Sequence, residues 1–133
     1  KGIALDCTGD ALTIGSDTLL YRLVFNLVEN AIRYSRSGST VNVSISDSDS
    51  HVLLRVEDQG PGIPKQYRES IFQPFFRLDT SRSRAYGGAG LGLALVWEIA
   101  ALHGGTVEVE ASSENGTTIL VSLPKRSAAL TEQ

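Results

Sequence analysis

Residues 17–35 read DTLLYRLVFNLVENAIRYS. Apolar side chains recur at helical spacing (Leu20, Leu23, Val24, Leu27, Ala31), and Ser16-Asp17 offers an N-cap, so the pattern predicts one helix over 17–35. Asparagine is a poor helix former, because its short amide competes for nearby backbone groups. Yet this helix carries Asn26 and Asn30 one turn apart, with Arg33 on the same side a turn further on. On a helical wheel Arg22, Asn26, Glu29 and Arg33 form a polar stripe, and Asn30 falls at its border beside Leu23, Leu27 and Tyr34. Something polar is expected along that side.

Outward from this helix the pattern changes period. IALD (3–6) and ALTI (11–14) read as short strands before it. VNVSIS (41–46) and HVLLRVED (51–58) alternate after it and predict a hairpin across a polar loop. A short helix is expected to begin at Pro64. FQPFFRL (72–78) is an aromatic cluster, and DTSRSRAYGGAG (79–90), almost without apolar residues, predicts a mobile loop. LGLALVWEIAALH (91–103) has Glu98 as its one charged residue and predicts a nearly buried helix, ended by a left-handed cap at Gly104-Gly105. TVEVEA (106–111) and TTILVSL (117–123) predict a last hairpin turning through Asn115-Gly116. The expected class is α+β: a two-layer sandwich, with a mixed, mostly antiparallel sheet of about five strands and three helices on one face. Residues 1–124 would form the domain and 125–133 a polar tail.

The 133 residues suffice for one domain with a core that needs no staples, and 41% hydrophobic with 20% charged content is ordinary for a globular chain. A formal charge of −3 argues against a nucleic-acid or anionic-membrane surface. Cys7 is the only cysteine, which excludes an internal disulfide and favours a reducing compartment. No run approaches the ~20 apolar residues of a membrane span. The chain starts at Lys1 without methionine, which fits a piece of a longer protein or a processed one.

Two stretches carry candidate chemistry. In DQGPGIP (58–64) Asp58 closes an alternating strand, and Gly60 and Gly62 flank a proline. By base rate this is a tight turn. It also holds an acceptor at a strand end, beside backbone bare enough for a flat ligand to approach. Such a carboxylate would accept from the exocyclic amine of adenine and repel the carbonyl of guanine; a buried polar group left unpaired costs about 1–3 kcal/mol. In YGGAGLGLAL (86–95) four glycines lead into a helix whose free N–H groups can cradle phosphates, or else serve as a hinge. Neither GxxxxGK[ST] nor GxGxxG occurs. Phe72, Phe75 and Phe76 are by base rate core, and Arg77, Arg82 and Arg84 a solvated surface. His51 and His103 have no cysteines or carboxylates at zinc-ligand spacing and no triad context.

The order NLVENAIRYS, DQGPGI, IFQPFFRLDTSRSR, GGAGLGLALV resembles the N, G1, F and G2 boxes of the ATP-binding catalytic domain of sensor histidine kinases, over residues 1–124. That family shares the Bergerat α/β sandwich with DNA gyrase and a heat-shock chaperone. The resemblance implies ATP and Mg²⁺ as cofactors, with Asn30 the metal ligand, since a neutral amide oxygen suits a hard cation. It implies phosphate contact by Arg33, and Asn26 and Tyr34 against the nucleotide. Asp58 would accept from the adenine amine, with Gly60, Gly62 and Ile63 shaping the base pocket and Thr118 lining its side. Gly88, Ala89, Gly90, Leu91, Gly92 and Leu93 would form the phosphate loop and helix start. Residues 77–89 would be a lid containing Arg82, with Phe72 and Phe76 at its root.

The resemblance further implies transfer of the γ-phosphoryl group to a histidine on a separate dimerisation hairpin, whose box surrounds neither His51 nor His103. A response regulator would follow in the parent protein. The domain would be cytoplasmic and monomeric, under a parent in the inner membrane, and inactive without the hairpin. Gyrase-like relatives carry a water-activating glutamate four residues before the metal-binding asparagine. Asn26 stands there, and an amide cannot take up a proton at neutral pH. A GHKL-type ATPase is therefore disfavoured; a nucleotide-switched binding module is the other alternative.

Overall fold

The computed structural model describes residues 2, 4–8, 17–73 and 92–125. Strand β1 (Ala4–Thr8) leads through helix α1 (Asp17–Tyr34) to β2 (Thr40–Asp47) and β3 (His51–Asp58). Two 3-10 turns follow, Lys65–Tyr67 and Ser70–Phe72, then helix α2 (Gly92–Leu102), β4 (Thr106–Ser113) and β5 (Gly116–Pro124). The strands form one sheet in the order β1-β2-β3-β5-β4. Only β1 and β2 run parallel, as a crossover through a helix requires; the other pairs are antiparallel.

Strand alternation sorts the sheet into two faces. Val41 and Val43, Val52, Leu54 and Val56, Val107, and Ile119, Val121 and Leu123 are buried on the face that meets Leu23, Leu27, Ala31, Val96, Ile99 and Ala100 of the helices. The opposite face is polar, and Arg55 reaches across it to Glu110 with Nε–Oε1 at 2.7 Å and Nη2–Oε2 at 3.0 Å. That pair sits at a register shift of the edge strand β4 and, being partly exposed, contributes under about 1 kcal/mol.

The predicted mixed sheet, both hairpins and both long helices are present. Three details differ. The segment after Pro64 forms two 3-10 turns instead of one helix: it is too short to nucleate an α-helix, and Arg68 ties it to the Ile63 and Ser112 carbonyls at 3.1 and 3.3 Å. Helix α2 is less buried than its composition predicts, with Trp97 and Leu102 exposed on its outer side. The last hairpin turns through Glu114-Asn115, since Ser113 pairs with Gly116. The expected cap is present: Gly104 has φ +75°, and Gly105 N–H donates to the Ala100 carbonyl at 2.8 Å. The predicted strand 11–14, the loop 79–90 and the tail beyond Lys125 lie outside the described residues; Lys125 itself donates its N–H to the Ser50 carbonyl at 2.9 Å and pairs with Asp47 at 2.8 Å.

Gly62 illustrates how tightly the end of the sheet is folded. Its φ is +86°, and a Cβ there would run into the Ser113 carbonyl; Gly38 has φ +81° with open space around it. Gly38→Ala should therefore cost only the left-handed penalty of about 1–2 kcal/mol, whereas Gly62→Ala adds a backbone collision and should cost at least about twice that. Thermal unfolding of the two variants measures the difference, and equal losses would show that the Ser113 carbonyl yields freely.

Candidate functional site

Asp58 is the fourth inward position of β3 after Val52, Leu54 and Val56, so the period that buries the valines also buries a carboxylate. It is 8% exposed. Its Oδ1 accepts from Gly60 N–H at 3.0 Å and from Thr117 N–H at 3.1 Å. Both bonds fall on one oxygen, which leaves Oδ2 as the acceptor not engaged by the backbone among the described residues. Burial pushes the Asp58 carboxyl above the usual aspartate range, and the two N–H bonds work against that rise.

Three segments close around this carboxylate. From the end of α1, the Ser35 hydroxyl accepts from Gln59 N–H at 3.1 Å, and the Tyr34 carbonyl lies where a Cβ on Gly60 would be. The close approach at Gly60 and Gly62 is thus made by the chain's own carbonyls, of Tyr34 and Ser113, and those contacts explain the glycines without a ligand. From β4, the Ser112 hydroxyl accepts from Ile63 N–H and shares a 2.8 Å bond with Thr117 Oγ1. Arg36 donates to the Gln59 carbonyl at 3.0 Å and the Glu114 carbonyl at 2.7 Å.

The other end of α1 supplies a second set of groups. Asn26 Nδ2 donates to the Arg22 carbonyl at 2.8 Å, which turns Oδ1 toward Gly92, 3.7 Å from where its Cβ would stand. Asn26 therefore meets the first residue of α2, whose free N–H groups favour anions. Asn30 lies between it and Tyr34, half-buried, and its amide makes no hydrogen bond among the described residues. Arg33 is within 3.9 Å of Glu29 in a partly exposed i,i+4 pair.

The predicted residues are thus brought together along α1, β3 and the start of α2, with two corrections. Thr118 pairs with Glu57 on the open face of the sheet, opposite to Asp58; the threonine beside Asp58 is its ladder partner Thr117, 3% exposed. Phe72 is 6% exposed and packs on Trp97 with ring centroids 5.7 Å apart, so it is a core residue at the foot of the site. Arg82, Gly88, Ala89, Gly90 and Leu91 lie outside the described residues. Ser35, Arg36, Gln59 and Ser112 were not anticipated, because their partners lie far away in sequence. The buried His103 donates through Nδ1 to the Ile99 carbonyl at 2.8 Å, and His51 is bonded to Ser50 at the far end of β3.

A family model described as histidine kinase-, DNA gyrase B-, and HSP90-like ATPase matches residues 15–127, and the chain belongs to this family. Within it, the chain is the ATP-binding catalytic domain of the sensor histidine kinase type. Sensor-like histidine kinase SenX3 of Mycobacterium tuberculosis is 41% identical over 122 residues, 92% of this chain and 30% of the relative. Sensor protein RstB of Escherichia coli is 48% identical over 106 residues, 80% of this chain and 24% of the relative. The chain thus spans less than a third of the length of either relative. The mycobacterial sensor histidine kinase MprB superposes with a TM-score of 0.81 at 37% identity, over 94% of this chain and 83% of that one. Full-length ShkA in complex with AMPPNP superposes with a TM-score of 0.74 at 30% identity, over 92% of this chain and 25% of that one.

The raised Asp58 carboxyl has a signed consequence. Between the ordinary aspartate range and its raised value the folded chain binds more protons than the unfolded one, so this group's contribution to stability falls as pH rises through that window. Asp58→Asn removes the buried charge while its amide oxygen can still accept from Gly60 and Thr117. At neutral pH the unliganded variant should melt at the same temperature as the parent or higher. A large drop in thermal melting would mean that the charge itself holds the strand end together.

Proposed function

We propose that the domain binds Mg-ATP between Asp58 and the α2 N-terminus and donates the γ-phosphoryl group to a histidine on a separate dimerisation hairpin. The observation that carries this reading is the half-satisfied, buried Asp58 carboxylate: one oxygen held by two backbone N–H groups, the other available to an adenine amine. Gly60, Gly62 and Ile63 form the turn beside the base, Tyr34 lies against it, and Thr117 takes the place first assigned to Thr118. Arg33 and the glycine-rich segment through Gly92 and Leu93 serve the phosphates.

Asn30 is the residue that would hold the metal. Its half-buried amide has no partner among the described residues, and no cluster of three or more His, Cys, Asp or Glu lies among them. One protein oxygen fits Mg²⁺, which keeps waters and takes its remaining ligands from substrate phosphates. When bound, the cation would neutralise charge on the transferring group. The domain's own part is positioning: it fixes the base, aligns the phosphates along α1 and leaves the terminal phosphate to an incoming nucleophile.

The hairpin, and a response regulator beyond it, are the partners this reading calls for, and the relatives' names as sensors support it. On this reading the domain works on the cytoplasmic side of a membrane-bound parent. No helix among the described residues is long and apolar enough to cross a membrane.

Calorimetry should give tighter binding of ATP than of GTP, and Asn30→Ala should abolish the magnesium-dependent part with little change in the unliganded melting temperature. Mixed with a dimeric hairpin bearing the family's histidine box, the domain should label it with an acid-labile, base-stable phosphate. Both His51→Ala and His103→Ala should leave that labelling intact. Fast ATP hydrolysis without labelling of any cognate hairpin would move the chain to the ATPases.

A further inference from the structure

Arg36 lies just beyond α1 and outside every motif that marks the nucleotide site. Its two guanidinium nitrogens reach different segments: Nη1 donates to the Gln59 carbonyl at 3.0 Å and Nη2 to the Glu114 carbonyl at 2.7 Å. Its own N–H also points at the Gln59 carbonyl, at 3.3 Å. Gln59 follows the carboxylate directly, and its side chain accepts from Thr40 N–H at 2.8 Å. Glu114 begins the β4–β5 turn, three residues before the Thr117 N–H that holds Asp58 Oδ1. A single side chain thus joins the end of α1, the end of β3 and the turn that feeds β5. Only a planar fork with several donors can do this; a lysine has the charge without the fork.

We infer that Arg36 is a positioning residue for the carboxylate that reads the base: it clamps the β4–β5 turn onto the end of β3 and so fixes the Thr117 N–H on Asp58 Oδ1. The inference rests on the proposed reading of Asp58 as the adenine acceptor. Two charges act on Asp58. Glu57 on its own strand raises its pKa, and Arg36 lowers it. The neighbouring elements bring the Tyr34 carbonyl, through its approach to Gly60, and the uncharged Thr117. Loss of Arg36 removes the favourable charge and loosens one of the two N–H bonds, and both changes favour the protonated carboxyl.

Calorimetric titration of ATP and GTP from acidic to neutral pH tests this on the parent chain, Arg36→Met and Arg36→Lys. Arg36→Met should bind ATP about fivefold more weakly, the effect of about one lost hydrogen bond. It should bind GTP nearly as before, and its ATP binding should fail at a higher pH than the parent's. Arg36→Lys should show the weaker ATP binding and fail at a pH between those of the parent and Arg36→Met, because the charge remains while the Thr117 N–H is loosened. Should Arg36→Met not fold, Arg36→Lys still reads the clamp through the ATP to GTP ratio. An unchanged ratio in every variant that folds, on a parent that prefers ATP, overturns the inference. A parent with no preference would instead remove the base-reading role of Asp58. Amide exchange at Gln59 and Thr117 then decides the clamp: it must quicken in the folded variants, and unchanged exchange overturns it.

Discussion

A charged group at the end of an otherwise apolar sheet face sets the conditions for its whole neighbourhood. Alternation along β3 sends Asp58 inward after Val52, Leu54 and Val56, and a buried carboxylate must find donors. It finds them in the turn that follows and in the neighbouring strand, so the β3–β5 register and the Gly60 turn are fixed together. Slipping β5 by one residue would offer Thr118 in place of Thr117 and expose the whole apolar series of that strand. The turn in turn must lie close under the α1 carbonyl of Tyr34 and over that of Ser113, and only side-chain-free residues fit both places. Sheet register, turn composition and helix end therefore answer to one carboxylate.

Helix α1 connects this point to the second half of the site. Asn26 meets Gly92 at one end and the Tyr34 carbonyl meets Gly60 at the other, a separation of about 12 Å along the axis at the usual rise. A nucleoside triphosphate spans such a distance. Leu23, Leu27 and Ala31 on the inner side of the helix are among the most buried residues, so its position is set by core packing. The asparagines occupy the shoulder between that core and the exposed charges of Arg22 and Glu29. Groups placed on a packed helix lose little freedom when a ligand arrives, and binding energy is not consumed in ordering them.

Periodicity made most of this legible in advance. The two-residue rhythm of 51–58 and the helical rhythm of 17–35 each reflect burial on one side, which sequence displays directly. The choice between Thr117 and Thr118 was open to the same rhythm, since Thr117 shares the parity of Ile119, Val121 and Leu123. The glycines were recognised, with a tight turn and a close ligand as their two readings; the Tyr34 and Ser113 carbonyls that require them to be bare could not be seen in the sequence. Arg36 was invisible for a related reason: its partners lie 23 and 78 positions away, and nothing local marks an arginine that bonds to distant backbone. Composition overstated the burial of α2, since Trp97 and Leu102 are apolar yet turned outward.

On the proposed reading, the distinction between hydrolysis and transfer rests on what surrounds the phosphate end of the site. A water-activating base there would need an atom that takes up a proton near neutrality. Asn26 has none: its Nδ2 is committed as a donor to the Arg22 carbonyl, and its Oδ1, facing Gly92, is a poor base. The chain's histidines do not replace it. His51 stands at the opposite end of β3 from Asp58, and its Nδ1 is bonded to the Ser50 hydroxyl at 2.7 Å. His103 follows the far end of α2, about 16 Å along the axis from Gly92, with Nδ1 held by the Ile99 carbonyl. On that reading, a site that holds a nucleotide at both ends, with an amide at position 26 and His103 beyond the other end of α2, leaves the terminal phosphate to a nucleophile that arrives from elsewhere. An imidazole, nucleophilic without a helper, needs only to be brought into line, and alignment is what a rigid sheet and helix can supply.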